Sequence, residues 1–286
     1  MKDKLNKFLH EFVFRNFFIA LCSVSMVFST FLLNNINLCW THFTVFLAAS
    51  TFLLYNFHTY SFQLSYSTIA SFKKSFFQFK ISTFYLIAFI AAMVISVDQV
   101  FYFNKNIILF LIPLTVVTLL YSMPLWGIKK KIRIRESFFV KLPLLGIVWS
   151  LSTVVIPLVE QNIDLTSSFV IKQVVCRFLF IFALCVPFEI RDIEIDRSHQ
   201  VKTLPLVFGI QSTKNIGIFF LVIEIIIHHN MNLPFKIILA LDFSSLIALV
   251  WIIIQKNNMS VYFYKLFVDG TMVLRFIFIY LALKLL

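Results

Sequence analysis

The stretch IILFLIPLTVVTLL at residues 107–120 contains no charged side chain, and similar apolar runs recur along the chain. Of the 286 residues, 60% are hydrophobic and only 13% are charged, and the mean hydropathy is +0.92. A soluble domain usually carries about 25% charged residues. Because a bilayer core about 30 Å thick is crossed by roughly 20 apolar residues of helix, the sequence predicts an integral membrane protein.

The continuity of these runs favours helices over the strands of a membrane barrel. Apolar and polar side chains alternate in a barrel strand of about ten residues, and residues 107–120 show no such alternation. We therefore expect an all-α bundle of about nine transmembrane helices, forming a single transmembrane domain over residues 1–286. The expected spans, with ends uncertain by about three residues, are 13–33, 40–60, 77–97, 106–126, 138–158, 168–190, 207–229, 234–254 and 267–286.

The connections between these spans alternate between basic and weakly charged segments. Basic segments precede span 1 and follow spans 2, 4, 6 and 8, and the run Lys129–Arg135 is the most basic of them. Since lysine and arginine are enriched in cytoplasmic loops, we expect a multi-pass protein of the cell (plasma or inner) membrane with a cytoplasmic N-terminus and an external C-terminus. These loops contain much of the net charge of +12, so the lipid bilayer, and no nucleic acid, is the expected partner.

A cluster of acidic residues lies where span 6 reaches the cytoplasm, in the stretch EIRDIEIDR at 189–197. At about 100° per residue, Glu189, Asp192 and Asp196 fall on one face of a helix, whereas Glu194 points away. Three like charges on one face repel each other, and oxygen ligands of this kind suit magnesium bound together with substrate phosphates. The alternative is a solvated loop in which the two arginines of the stretch pair with the acids.

The longer stretch EIRDIEIDRSHQVKTLPLVFG at 189–209 resembles the second aspartate motif of the UbiA superfamily of membrane-embedded prenyltransferases. That motif reads DxxDxxxD and is followed by a Lys-Thr-Leu-Pro stretch and a glycine. Glu189 stands in the first aspartate position, and Lys202 begins the matching tail. Residues 119–126 (LLYSMPLW) and 140–150 (VKLPLLGIVWS) are similar to the fourth and fifth spans of the family.

The resemblance implies a UbiA-like bundle of nine spans with a cytoplasmic site, in which magnesium holds the diphosphate of a polyprenyl donor. It implies Glu189, Asp192 and Asp196 as magnesium ligands. It implies Asp192, Asp196 and Lys141 as catalytic residues. The implied diphosphate contacts are Asn56, His58, Tyr121, Arg197 and Lys202.

The family's first aspartate motif, which follows span 2, is degraded in this chain. The motif resembles NDxxDxxxD, and the corresponding stretch is NFHTYSFQL at 56–64, in which only Asn56 matches. The acidic positions are occupied by Phe57, Tyr60 and Leu64. This half of the expected metal site therefore lacks its carboxylates, and His58 is either a packed interfacial histidine or a substrate contact.

Three functions are compatible with this pattern. The first is a prenyltransferase that moves a polyprenyl group from a polyprenyl diphosphate to a lipophilic, quinone-precursor-like aromatic acceptor inside the membrane. The second is a catalytically inactive or redirected relative that binds an isoprenoid or another lipid phosphate, as the degraded motif at 56–64 suggests. The third is a transporter, which would need an inverted repeat or polar residues on broken helices, and the sequence shows neither clearly.

Four ionisable residues lie deep within the expected spans: Arg177, Glu224, Asp242 and Arg275. Charged side chains are costly in a bilayer core and are retained where they pair or function. We expect these four residues to form interhelical pairs, although the sequence does not assign the partners.

Overall fold

The computed structural model describes residues 12–13, 15–66, 83–122, 138–198, 201–256 and 259–284. Within these ranges the chain is all-helical and contains no β-strand. The helices are α1 (Phe17–Leu33), α2 (His42–Tyr66), α3 (Thr83–Val100), α4 (Lys105–Ser122), α5 (Phe138–Ser150), α6 (Ile156–Glu160), α7 (Ser168–Arg191), α8 (Ile193–Ser198), α9 (Leu204–Phe208), α10 (Ile210–His229), α11 (Phe235–Ile254) and α12 (Gly270–Lys284). Two π-helical turns extend them, Leu151–Val155 between α5 and α6 and Phe263–Val268 before α12.

Five helical segments are long and apolar enough to cross a membrane. They are Val140–Glu160, Ser168–Arg191, Ile210–His229, Phe235–Ile254 and Phe263–Lys284. Three shorter apolar helices in the described part of the chain are Phe17–Leu33, Phe84–Val100 and Lys105–Leu119. Within the described residues, each stretch that the sequence predicts as a span overlaps one of these segments or α2. The prediction of an all-helical chain with several helices able to span a membrane is therefore confirmed.

Helix α7 packs closely against α5 and α10, and a glycine lies at each of these contacts. A Cβ atom added at Gly146 of α5 would lie 2.7 Å from Cδ2 of Phe178. One added at Gly217 of α10 would lie 3.1 Å from Cγ2 of Val186. Small residues let helix backbones approach closely where lipid gives no hydrophobic drive for association. Because Gly146 and Gly217 have no side chain, α5 and α10 can pack closely against α7.

Asparagines shape three of the short connections between helices. Asn35, Asn162 and Asn232 have φ values of 56°, 56° and 53°. This left-handed region is strained for most side chains but accessible to asparagine. The three residues follow α1, α6 and α10, so they turn the chain at the same end of the bundle, which is the end that lacks the basic connections.

A buried ion pair and a histidine–aspartate hydrogen bond join α10, α11 and α12 in the half of the bundle near these asparagine turns. Arg275 donates from Nη1 to Oε1 of Glu224 at 2.7 Å and from Nη2 to Oγ of Ser245 at 2.9 Å. The Nδ1 atom of His228 lies 2.9 Å from Oδ1 of Asp242. Of the four residues expected to form interhelical pairs, Arg275 and Glu224 therefore pair with each other, and Asp242 pairs with His228.

Arg177 of α7 is held by neutral oxygens instead. Its Nη1 atom donates to the carbonyl of Met26 at 3.1 Å and to Oγ1 of Thr153 at 2.5 Å, and Nη2 donates to Oγ1 of Thr30 at 3.2 Å. Hydrogen bonds of this kind are needed wherever a polar group is buried away from water. We name as the buried polar network Arg177, Glu224, His228, Asp242 and Arg275. A void of only about 20 Å³ borders it.

Candidate functional site

A large cavity lies between α1, α2, α3, α4, α5, α7 and the π-helical turn Phe263–Val268. Its volume is about 740 Å³, within the range of about 300–1,000 Å³ that is typical of small-molecule sites. Most of the wall is apolar, with side chains such as Leu47, Phe89 and Leu114. The charged residues that line the cavity, among those described, are Lys141, Glu189, Arg191, Asp192, Lys265 and Asp269.

These six charged residues lie together at one end of the cavity, which we call the charged end. They belong to the first turn of α5, the last turn of α7 and the segment just before α12. His58, in the second half of α2, lines the cavity as well. All these helix ends lie on the side of the basic connections. The cavity is therefore amphipathic, with a long apolar chamber and one ionic end.

Lys141 and Glu189, both predicted as site residues, form an ion pair at the charged end. The Nζ atom of Lys141 lies 2.5 Å from Oε1 of Glu189, and the two side chains are 18% and 3% exposed. The close packing of α5 on α7 brings the two together. A carboxylate buried this deeply needs a counter-charge, and the lysine supplies it.

Arg191 and Asp192 are joined by two hydrogen bonds. The Nε atom of Arg191 donates to Oδ1 of Asp192 at 2.7 Å, and Nη2 donates to Oδ2 at 3.0 Å. The guanidinium carbon lies 5.0 Å and 5.1 Å from the ring centroids of Phe188 and Tyr264, so cation–π contacts orient the arginine at the cavity wall. Helix α7 ends at Arg191, and the turned backbone at Asp192 (φ −85°, ψ 1°) lets the neighbours pair.

This turn changes the acidic face that the sequence predicts. The prediction assumes one continuous helix over 189–197, whereas α7 ends before Asp192 and α8 begins after it. Glu189 and Asp192 line the cavity, and Asp196 does not. The prediction of one continuous helix over 189–197 is therefore wrong, and only two of its three carboxylates, those of Glu189 and Asp192, line the cavity.

The described residues do not fit the predicted magnesium site. Glu189 and Asp192 each face a cationic side chain of the protein, and Asp196 lies apart from the cavity. In the described ranges, no group of three or more His, Cys, Asp or Glu side chains is arranged to hold a metal ion. We therefore derive no chemical step through magnesium.

Two predicted diphosphate contacts, Arg197 and Lys202, do not line the cavity in the structure. Arg197 is exposed, with Nη1 3.4 Å from Oε1 of Glu194. Lys202 is exposed in the connection before α9. The side chain of Tyr121 lies outside the described residues. The alternative in which arginines pair with nearby acids describes the contacts of both Arg191 and Arg197.

Asn56, the one matching residue of the first motif, joins α2 to the start of α1. It is 4% exposed, accepts a hydrogen bond from Nδ2 of Asn16 at 3.1 Å and donates to the carbonyl of Phe52 at 2.7 Å. Asn16 in turn accepts from Nζ of Lys265 at 3.2 Å. Asn56 therefore supports the charged end through Asn16, whereas its neighbour His58 lines the cavity directly.

Arg191, Lys265 and Asp269 line the cavity but were not predicted as site residues; Arg191 was expected only to pair with an acid. Lys265 and Asp269 line the charged end from the π-helical turn and the residue that follows it. Lys265 belongs to the basic segment after span 8 that was expected to be a cytoplasmic loop, and no role was expected for Asp269. Two ionisable residues four apart beside an apolar run were the available signal, since charge in that position is costly. π-Helical turns are also frequent at functional sites.

Comparison with protein-family models, with curated proteins and with solved structures found no match to this chain. The predicted site residues that the structure brings together on one cavity are His58, Lys141, Glu189 and Asp192. A function can therefore be inferred only from the quoted motif residues and from the cavity.

Proposed function

We propose that this chain is a nine-span, UbiA-like prenyltransferase of the cell membrane, with its N-terminus and the charged end of its cavity on the cytoplasmic side. The donor is a polyprenyl diphosphate, and the acceptor is a lipophilic, quinone-precursor-like aromatic ring. The observation that carries the proposal is the cavity, where an apolar chamber of about 740 Å³ meets an ionic end that includes the motif residues Glu189 and Asp192. Such a site suits an amphiphile with an apolar tail and an ionic head.

Basic side chains at the charged end are the proposed contacts of the diphosphate. Lysine and arginine make charge-assisted hydrogen bonds to phosphate oxygens, and the arginine fork can bind two of them. Lys141, Arg191 and Lys265 all line this part of the cavity. Lys141 and Arg191 each also pair with a carboxylate of the protein. A bound diphosphate would therefore share these basic side chains with Glu189 and Asp192.

In the proposed reaction, the bond between the allylic carbon and its oxygen breaks, and the electron pair leaves with the diphosphate. The basic side chains stabilise the charge that develops on the departing group. The acceptor ring then attacks the allylic carbon and loses a proton, which the released diphosphate accepts. The aromatic rings of Tyr55 and Phe188 on the cavity wall offer faces to the transient cation, and the apolar wall excludes water that would capture it.

A second candidate function is the binding of an isoprenoid or other lipid phosphate without transfer. The observation that favours it is that both motif carboxylates already pair with basic side chains of the protein. Glu189 pairs with Lys141, and Asp192 pairs with Arg191. The stretch 56–64 also contains no carboxylate. Both candidates use the same cavity and the same cationic contacts, and they differ in turnover.

A turnover assay distinguishes the two candidates. Detergent-purified protein is incubated with farnesyl or geranylgeranyl diphosphate and a panel of aromatic acceptors, with magnesium in one series and a chelator in the other. Diphosphate release together with a prenylated product supports the transferase. Thermal stabilisation by the diphosphates without release supports the binding protein. If neither occurs, the assignment of the cavity to a lipid diphosphate is wrong.

Two double variants link the result to the cavity. Lys141→Met combined with Glu189→Gln removes the buried ion pair without leaving a lone buried charge. Arg197→Met combined with Glu194→Gln removes an exposed pair from a nearby part of the chain. We expect at least a tenfold loss of diphosphate binding in the first variant and no change in the second. Equal effects of the two would contradict the proposed head-group site.

The proposed orientation can be tested with a native thiol. Cys39 is exposed in the connection between α1 and α2, and Ser198 is exposed at the end of α8, on the other side of the bundle. A membrane-impermeant thiol reagent should label Cys39 in intact cells. In a variant that combines Cys39→Ser with Ser198→Cys, the reagent should label the new thiol only after permeabilisation. The reverse pattern would place the charged end outside the cell.

A further inference from the structure

The cavity extends along α2 away from its charged end. The residues of α2 that line it run from Thr59 and His58 to Phe43, and they include Leu47 and Leu54. His58 and Phe43 lie on one helix, and the rise of about 1.5 Å per residue separates them by roughly 22 Å. The chamber is therefore elongated, and its length can be compared with that of a lipid tail.

Two phenylalanines line the chamber at the end opposite the charged end, and a third packs against both of them. Phe43 and Phe46 both line the cavity, and their ring centroids lie 6.1 Å and 5.3 Å from that of Phe103. Phe43 is fully buried, and its backbone N–H donates to Oε1 of Glu160 at 2.9 Å. Phe103 is 8% exposed, and Ile107 behind it is 2% exposed. We call Phe43, Phe46 and Phe103 the aromatic floor.

We propose that the aromatic floor limits the tail of the bound lipid to three or four isoprene units. An inference of this kind rests on the proposed function, because it places the head of the lipid at the charged end. From standard carbon–carbon bond lengths and angles, an extended tail is roughly 15 Å long for three isoprene units, 20 Å for four and 30 Å for six. The first two fit within the chamber together with at least part of the head, and the third exceeds its length.

Phe46 is the floor residue best suited to a test, because it is half-buried and lies on the cavity wall. Phe46→Ala removes a ring from the floor and should allow about one further isoprene unit. Phe46→Trp fills more of the chamber and should remove the longest tail that the wild type accepts. The matched control is Phe89→Ala, which removes the same atoms from the side wall provided by α3.

The measurement is competition against labelled farnesyl diphosphate by geranyl, geranylgeranyl and hexaprenyl diphosphates, with purified protein in detergent. In the wild type we expect the tightest binding with three or four units and binding at least tenfold weaker with six. In Phe46→Ala the optimum should move to a longer tail, and in Phe89→Ala it should stay unchanged. Unfolding temperatures recorded without ligand check that each variant is folded.

The outcomes separate the tail limit from the proposed function. Binding with the expected length optimum but without diphosphate release supports the aromatic floor and contradicts the transferase. If diphosphates do not bind, the corresponding prenyl alcohols are titrated, and an optimum that moves with Phe46→Ala still supports the floor. Equal competition by all lengths, or an optimum that Phe46→Ala leaves in place, would overturn the inference, because the tail would then leave the chamber sideways.

Discussion

The buried polar network and the charged end of the cavity both place opposite charges inside an apolar bundle, but they differ in the space around them. The void beside the network is about 20 Å³, whereas the charged end opens on a chamber of about 740 Å³. Arg275 and Glu224 of the network are 3% and 0% exposed, and Lys141 and Arg191 of the charged end are 18% and 33% exposed.

The free volume beside a buried ion pair determines whether the pair can also contact a ligand. A pair that fills its surroundings, as Arg275 and Glu224 do, can only hold helices together. A pair that borders an open chamber, as Lys141 and Glu189 do, can exchange part of its contacts for a ligand. The comparison therefore indicates a structural role for the network and supports the proposed binding role of the charged end.

The largest effect is expected from Arg275→Met, which leaves Glu224 buried without its arginine. Removing one partner of a buried pair typically costs about 3–5 kcal/mol, because the remaining charge is uncompensated. The measurement is unfolding in detergent, detected by the reaction of a thiol reagent with the buried Cys22 and Cys176. Adding Glu224→Gln should restore much of the loss. A single variant as stable as the wild type would contradict the structural role.

A smaller loss of stability is expected from Lys141→Met. Glu189 loses its counter-charge, at a cost of about 2 kcal/mol, because the lysine is partly exposed and water can reach the site. Adding Glu189→Gln should restore stability without restoring diphosphate binding. The two sites should differ in their double variants. Only at the Lys141–Glu189 pair do we expect stability to return while diphosphate binding stays lost. Recovery of both properties in the double variant would contradict a binding role.

A change of about threefold in affinity is expected from Asp192→Asn. The variant removes a negative charge from the charged end and releases Arg191 from its carboxylate partner, so a diphosphate should bind more tightly without magnesium. The matched control is Asp196→Asn, which lies off the cavity and should have no effect. Weaker binding of both variants in a magnesium titration would instead favour the metal site that the family motif predicts.

The smallest effect is expected from Glu194→Gln. The pair that Glu194 makes with Arg197 is 3.4 Å long, with side chains 70% and 62% exposed. An exposed pair of this kind contributes at most about 1 kcal/mol and often nothing measurable. Unfolding and diphosphate binding should both match the wild type. A clear loss of binding would extend the functional site beyond the cavity.

The helices could be predicted from the sequence because the bilayer sets the length and composition of a span. The runs around 168–190 and 234–254, for example, have the apolar length that a membrane demands, and helices Ser168–Arg191 and Phe235–Ile254 follow them closely. The residue at which α7 ends could not be predicted in this way. It depends on the local backbone turn at Asp192, which a hydropathy pattern does not reveal.

The site could be predicted only in part. Lys141, Glu189 and Asp192 were identified from motif positions, and the structure places all three on the cavity. The partner of each charge was not predictable, since it depends on how closely α5 approaches α7 and on how the chain turns after Arg191. Lys265 was missed because it is distant in sequence from the other site residues, and only the packing of the bundle brings it to the cavity.

A π-helical turn contains one residue more than the α-helical turn that it replaces. Deleting one residue from Phe263–Val268 would therefore restore regular helix and rotate the preceding residues by about 100° relative to α12. Lys265 would leave the cavity, and Tyr264 would no longer support the guanidinium group of Arg191. The loss of a single codon at this turn would thus change the charge that lines the cavity, with the other helices of the bundle preserved.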